Sequence, residues 1–387
     1  MPALAPGVHI PTLPTHLMTS LSWRNLPATA LCSDLELQAQ WDQLSAQRLD
    51  LPFMRADAVA AGVEVFGTGL ERLLIASRSG RCVAMLILVP NGLLRWCTFQ
   101  PSQLPLGLWV AASDQHLQQL GRSLLRGPLG FCLVVSISQV DPLQAPRHSD
   151  DSDNWHNDYI DTAWLDLVGD FDSYWAARGK NLRQNMRKQR NKLAADGVTT
   201  SLRVLRDPAD MASAIARYGA LESAGWKAGE GTAIHTDNQQ GRFYVRLFET
   251  AARQQEALVF EYLFNDRTAA INLCLLRAGT LVVLKTTYDE SIPKTLSPAF
   301  LLREDELKHL FAGHEVKRVE YYGRRMDWHS KLTEQQRTLF HLTTYRWPLV
   351  KHLAVRRRAG KEAQPAAAAE AAEVGASATP AAPPSPP

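Results

Sequence analysis

The sequence predicts an α/β protein made of two copies of one unit, and three observations carry that prediction. The chain has 387 residues, which suggests about two domains at roughly 150 residues each. Two regions, residues 72–96 and 257–288, share one order of apolar strands and turn residues. Each is preceded and followed by stretches with helical spacing of apolar residues.

The first region runs LLIAS, a Ser79-Gly80 turn, CVAMLILV, an Asn91-Gly92 turn, then LLRW. The second runs ALVFEYLF, an Asn265-Asp266 turn, TAAINLCLL, an Ala278-Gly279 turn, then TLVVLKTTY. Both read as three-strand meanders joined by residues that accept positive φ or bond their own backbone. Flanking helices are expected around 57–62 and 114–125 in the first copy. In the second they are expected at 211–223, 242–254 and 298–311. Two copies indicate a duplication and not a solenoid.

Hydrophobic residues make up 45% and charged residues 21% of the chain, as in ordinary globular proteins, and the net charge is only +3. No global field therefore calls for a nucleic-acid partner. The five cysteines, Cys32, Cys82, Cys97, Cys132 and Cys274, are widely spaced and include no CxxC pair; buried free thiols in a reducing compartment are expected. Pro2, Pro6, Pro11 and Pro14 interrupt a start with no basic, then apolar, signal-peptide pattern. No stretch approaches the about 20 apolar residues of a membrane span. A cytoplasmic protein is expected.

Residues 1–20 read as a flexible N-terminus, 21–158 as the first module, 159–350 as the second and 351–387 as a basic, then Ala/Pro-rich tail. Residues 363–387 hold eleven Ala and six Pro and cannot offset their ordering entropy, so disorder is expected. The basic run from Lys351 to Lys361 reads as a solvated helix end, with anionic lipid or nucleic acid as alternatives. Between the copies, residues 148–159 carry Asp150, Asp151, Asp153, His156 and Asp158. They lack the Gly and terminal Glu of a calcium loop, and Trp155 occupies a ligand position. The segment reads as a solvated linker before a strand at 159–167, and no metal site is expected.

Residues 171–195 read as helix with a break near Gly179 and a C-cap at Gly197. Arg183, Arg187 and Arg190 fall with Lys180 on one stripe. It is either a solvated face balanced by acids from elsewhere or a grip on a phosphate-bearing donor or acceptor. Downstream, the strand at 281–288 leads through a loop to Ser297-Pro298-Ala299, where Ser suits an N-cap and Pro the first helical position. The unpaired amides of such a helix start suit a pyrophosphate. Lys294 and Thr295 add a charge and a hydroxyl, and Lys285 is a phosphate or acceptor contact or else a surface lysine. The strand expected at 316–323 places Glu320 and Tyr322 on one face.

Residues 172–347 resemble the GNAT-like acetyltransferase domain of the CelD-type, BioF-like proteins, which are related to the FemAB peptidyltransferases. The resemblance rests on an ordered set: the Arg183/Arg187/Arg190 helix before Gly197; Glu222-Ser223-Ala224-Gly225-Trp226-Lys227; Gly231-Thr232-Ala233-Ile234 and Phe243-Tyr244; Tyr288-Asp289; Ser297-Pro298-Ala299; Glu320; and Trp328 near Lys331. Residues 21–158 resemble the degenerate first module of the same proteins. The implied fold is α/β, with tandem GNAT-like modules, each a mixed, mostly antiparallel sheet flanked by helices. The implied activity is acyl-CoA-dependent N- or O-acyl transfer to an envelope or exopolysaccharide-related acceptor. Acetyl-CoA or another acyl-CoA would be a co-substrate, and no permanent cofactor is implied. Aminoacyl-tRNA-dependent transfer and a non-catalytic scaffold are the alternatives; outside the tRNA case, no nucleic acid is expected.

Direct acyl transfer needs a base, a stabilised thioester oxygen and an acid for the departing thiolate. Glu320 or Asp289 is a candidate base, and a salt bridge is the competing role of Glu320. Tyr322 is a candidate acid or else a core tyrosine. Trp226, Lys227, Trp328 and Lys331 are candidates for the border of the acceptor cleft, with core tryptophans and solvated lysines as the competing reading.

Overall fold

The computed structural model describes residues 21–224, 234–235, 238–293 and 295–358. The first half comprises β1 (Ser22–Pro27), α1 (Ala30–Ser33), α2 (Leu35–Ser45), α3 (Ala56–Phe66), β2 (Arg72–Arg78), β3 (Arg81–Pro90), β4 (Arg95–Thr98), β5 (Trp109–Ala111), α4 (Leu117–Arg126), β6 (Val134–Val140) and β7 (Asn154–Asp166). The second comprises α5 (Phe171–Ala176), α6 (Lys180–Ala195), β8 (Thr200–Leu205), α7 (Pro208–Ala224), α8 (Gln239–Arg253), β9 (Ala257–Phe264), β10 (Arg267–Arg277), β11 (Thr280–Tyr288), α9 (Pro298–Gly313), β12 (Arg318–Glu320), α10 (Asp327–Ser330) and β13 (Gln336–Tyr345).

All strands join one 13-stranded sheet in the order β1-β2-β3-β4-β6-β13-β7-β12-β11-β10-β9-β8, with β5 added against β3. This order is symmetric about its centre. β1 to β4 form an antiparallel run whose last member pairs in parallel with β6. β8 to β11 form an identical run whose last member pairs in parallel with β12. The helices obey the same correspondence: α4 connects β4 to β6 as α9 connects β11 to β12. Each half is thus a mixed, mostly antiparallel sheet flanked by helices.

The halves exchange strands at the centre. β13, last in sequence, lies between β6 and β7 and pairs antiparallel with both. β7 pairs with β13 along residues 154–163 and with β12 over 164–166. The expected boundary at 158/159 therefore falls inside a continuous strand. The expected linker at 148–159 needs correction too, because residues 154–158 already belong to β7. Their acidic neighbours are occupied locally: Asp150 accepts from the His156 amide, and Asp151 from the Asp153 and Asn154 amides.

One core runs across both halves on one sheet face, from Trp41, Phe53 and Val59 to Tyr218, Tyr244 and Phe248. On the other face α4 covers the first half, while α6 and α9 cover the second. Leu182, Met186 and Leu193 are the buried positions of α6, and their spacing of four and seven is the apolar stripe of a helix. Gly179 is the N-cap that separates α5 from α6, and Gly197 takes φ +72° after α6. No described helix is long and apolar enough to cross a membrane.

In each half the parallel pair runs together for three residues and then parts. In the first half, after Cys97↔Ser136, the chain closes its own gap. The Ser138 amide donates to Thr98 Oγ1 at 2.9 Å, and the Gly107 amide donates to the Ser138 carbonyl at 3.2 Å. A Cβ on Gly107 would lie 2.4 Å from that carbonyl oxygen and 2.7 Å from Thr98 Oγ1. Gly107→Ala is therefore expected to force the two segments apart and cost about 1–3 kcal/mol, measurable as a lower urea midpoint with an unchanged denaturant slope.

Candidate active site

The equivalent gap of the second half is open. β11 and β12 pair through Thr280↔Arg318, Leu281↔Val319 and Val282↔Glu320. β11 then continues to Tyr288 while β12 stops. Beyond Val282 its outer edge has no ladder partner among the described residues. The register with β10 also slips here: Leu273 faces Lys285 and Cys274 faces Val283, leaving Leu284 as an unpaired bulge residue.

On the α8 side of the sheet the gap opens into a cleft of about 470 Å³. Leu284, Lys285, Tyr244, Tyr321, Tyr322 and Arg324 of the second half line it. The first half supplies Gln100, Gln103 and Gln139. Lys285 and Arg324 are the only charged residues among the described lining residues. Lys285 lies with its ammonium 5.9 Å from the Tyr244 ring centroid.

On the α9 side a groove of about 550 Å³ runs between α6, the start of α9 and the end of α10. Asn181, Asn185, Ser297, Phe300 and Lys331 line it, together with Arg178. Pro298 takes the first helical position, but the Ser297 side chain makes no capping bond. Instead the Ser297 amide donates to Gln189 Oε1 at 2.7 Å. Ala299 accepts Arg303 Nη1 on its carbonyl, and Thr295 is exposed in the loop before the helix. Lys331 places its ammonium 5.2 Å from the Phe300 ring centroid.

Tyr321 stands between the two openings. It is half-buried, and its ring packs edge-on against Trp328 at 5.3 Å and His329 at 5.0 Å, just before the groove residues Ser330 and Lys331. Its hydroxyl has no hydrogen-bond partner among the described residues. Burial raises its pKa, outweighing the nearby Arg303 charge, so the phenol keeps its proton at neutral pH. Trp328 stacks on His329 and carries the Arg303 guanidinium 3.8 Å from its ring centroid. Burial lowers the His329 pKa to about 4, so this ring is neutral. Below them, Glu306 Oε2 accepts Asn272 Nδ2 at 2.6 Å, and burial lifts Glu306 to about 7.

Several sequence expectations change at this site. β12 covers Arg318–Glu320, not 316–323, and Tyr322 has φ +44°, so the strand alternation ends before it. Glu320 and Tyr322 do lie together, but in a buried ionic cluster at the strand exchange. Arg337 of β13 donates from Nη2 to Glu320 Oε2 at 2.9 Å, and the Tyr322 hydroxyl donates to Asp141 Oδ2 at 2.9 Å. Glu320 is thus held by a buried arginine, and the Tyr322 hydroxyl is committed elsewhere. Asp289 organises the turn before α9, accepting from the Ser291 amide and hydroxyl and from Arg267.

The arginine stripe is divided in the same way. Arg190 forms ion pairs with Glu304 and Asp305 of α9 at 2.7 Å, so it fixes α6 to α9. Arg183 and Arg187 are exposed, and the Arg183 Nε donates to the Arg178 carbonyl. Lys294, Trp226 and Lys227 lie outside the described residues. Tyr321, Leu284 and the three glutamines were not among the expected residues. The Tyr321-Tyr322-Gly323 run after a short strand is the sequence signal for a broken alternation at Tyr321, whereas the glutamines carry no motif.

A duplicated mixed sheet whose parallel pair splits beside a helix start, open in one half only, defines a GNAT-type acyltransferase-like fold. Residues 180–330 match the family model described as an acetyltransferase (GNAT) domain. The C-terminal domain (DUF2156) of a putative lysylphosphatidylglycerol synthetase from Agrobacterium fabrum is similar at 12% identity and TM-score 0.52, over 82% of this chain and 94% of that one. A conserved protein of unknown function from Bacteroides thetaiotaomicron VPI-5482 is similar at 9% identity and TM-score 0.50, over 84% and 99%. At these identities the likeness concerns the fold. No curated protein sequence matches the chain.

Proposed function

We propose that the chain is an acyl-CoA-dependent N- or O-acyltransferase acting on an envelope or exopolysaccharide-related acceptor. The observation that carries this reading is the open split between β11 and β12, with a groove on one face and a cleft on the other. The donor lies in the α6/α9/α10 groove, its phosphates near the α9 start and Lys331, and its thioester enters the split. The free edge of β11 offers backbone partners to the donor's amide-containing arm, and the amide of the bulge residue Leu284 is the candidate oxyanion donor.

The acceptor enters from the cleft. Its nucleophile forms the new C–N or C–O bond and loses its proton to cleft water, the C–S bond breaks, and Tyr321 protonates the departing thiolate. A wall of glutamines, Lys285 and Arg324, without a carboxylate among its described residues, suits a neutral or anionic polyhydroxyl acceptor better than a cationic one.

Calorimetric titration with acetyl-CoA tests the donor assignment. Saturable binding is expected, and Lys331→Glu is expected to weaken it about tenfold or more, with the fold unchanged by circular dichroism. Absence of binding at micromolar concentrations would remove the CoA reading. In that case, tRNA binding with a steep salt slope would support the aminoacyl-tRNA alternative.

A further inference from the structure

The far end of the central strands carries a surface that the acyl-transfer reading does not use. Three segments meet there, because Arg95 of β4 pairs with Val134 of β6, which in turn pairs with Tyr345 of β13. They are the 91–96 hairpin, the 126–134 loop and residues 345–358. Leu93 sits at the hairpin tip between Gly92 at φ +91° and Leu94 at φ +55°, and is 88% exposed. Phe131 and Trp347 are exposed and pack on each other, with ring centroids 6.1 Å apart. Residues 348–358 are helical, and Leu349 and Leu353, one turn apart, are both exposed.

The charge carried by the three segments themselves has one sign. The three segments contain Arg95, Arg126, Arg346, Lys351, Arg356, Arg357 and Arg358, and no Asp or Glu. The Arg346 guanidinium lies 5.2 Å from the Phe131 ring centroid and 5.8 Å from that of Trp347. Lys351 donates to the Asp151 and Asn154 carbonyls and so ties the helix to the start of β7. Of the neighbouring carboxylates, Asp151 and Asp153 share Arg122 and Asp150 lies near Tyr345, so the seven basic residues of the patch still outnumber the negative charge beside it.

Protruding leucines and aromatics among arginines suit one environment best. Aliphatic tips gain by entering the acyl boundary of a bilayer, aromatics settle at the headgroup level, and arginines face anionic headgroups. Nucleic acid would pair with the arginines but gain nothing from Leu93, Leu349 or Leu353. We propose that this end of the sheet, with the helix at 348–358, docks on an anionic lipid bilayer surface. β6 rises from Val134 at this end to Gln139 in the cleft, about 17 Å at 3.3 Å per residue. Docking therefore holds the cleft above the membrane and leaves its mouth open.

Flotation of the full chain with phosphatidylcholine vesicles, alone or with about 30% phosphatidylglycerol, tests this. Binding is expected to be at least tenfold tighter on the anionic vesicles and to weaken with salt. Leu93→Ser with Phe131→Ser, and separately Leu349→Ser with Leu353→Ser, are expected to reduce it about tenfold each while thermal melting is retained. Arg356→Glu with Arg357→Glu is expected to abolish it. No binding to anionic vesicles at low salt overturns the proposal. So does binding that follows the arginines but ignores all four apolar positions, or duplex DNA binding of equal strength with the same variant pattern.

Discussion

Arg337→Met is expected to destabilise the fold by about 3–5 kcal/mol, because it strips the guanidinium shared by two buried carboxylates and leaves Glu320 only the more distant Arg318 at 3.8 Å. Asp141 and Glu320 are 0% and 2% exposed. Arg337 donates from Nε to Asp141 Oδ1 at 2.8 Å, and from Nη2 to both carboxylates. The three residues come from β12, β13 and the end of β6, so the loss falls where the halves exchange strands. Urea unfolding checks it: a midpoint close to wild type would mean that the cluster relaxes by admitting water. Burial raises the Glu320 pKa to about 7, helped by the like charge of Asp141 and opposed by Arg337. Its folded pKa thus lies above the unfolded value, and the folded state holds a proton the unfolded state releases. Stability from this group is present at low pH and is lost as pH rises from about 4.5 to about 7. Glu320→Gln is expected to flatten that part of the stability–pH curve.

The duplication was legible because both meanders repeat the same turn chemistry, and the turns at Gly80, Gly92 and Gly279 do adopt positive φ. The helices were legible from apolar spacing, as Leu182, Met186 and Leu193 illustrate. Strand exchange was not. β13 carries the ordinary pattern of a strand, and nothing local to Gln336–Tyr345 specifies a partner about 200 residues earlier. The buried ionic setting of Glu320 and Tyr322 was not legible for a related reason. Alternation counted from Val316 assumed a strand running on to Gly323, whereas β12 ends at Glu320. The residues that meet Glu320 and Tyr322, Asp141 and Arg337, lie on distant strands. Arg190 looked like its neighbours Arg183 and Arg187 because helical spacing reports a shared face and not what faces it.

The closed first gap and the open second gap also explain why only one half retains a candidate site. The first half uses Gly107 and Thr98 to complete its backbone bonds across the split, and it supplies Gln100, Gln103 and Gln139 to the neighbouring cleft wall. A duplicated fold has thus been divided between a half that holds the split and a half that shapes its mouth.

Tyr321→Phe is expected to lower turnover by about 10²-fold, the lower end of what a positioned acid contributes, with little change in KM or melting temperature. Tyr321 presents an unpartnered, protonated hydroxyl beside the split, so removing its oxygen breaks no hydrogen bond among the described residues. Tyr322→Phe is expected to do the opposite. It removes a buried donor from Asp141, costs about 1–3 kcal/mol of stability, and leaves turnover near wild type at temperatures where the variant stays folded. Release of CoA thiol from acetyl-CoA is the readout for both. A donor whose leaving thiol is more acidic needs less help from an acid, so the deficit of Tyr321→Phe should shrink with such a thioester. If the deficit keeps its size across donors, Tyr321 positions the substrate and the proton comes from elsewhere. If Tyr322→Phe loses turnover while retaining its stability, the acid is the tyrosine that points towards Asp141, and the split between β11 and β12 is read in the wrong direction.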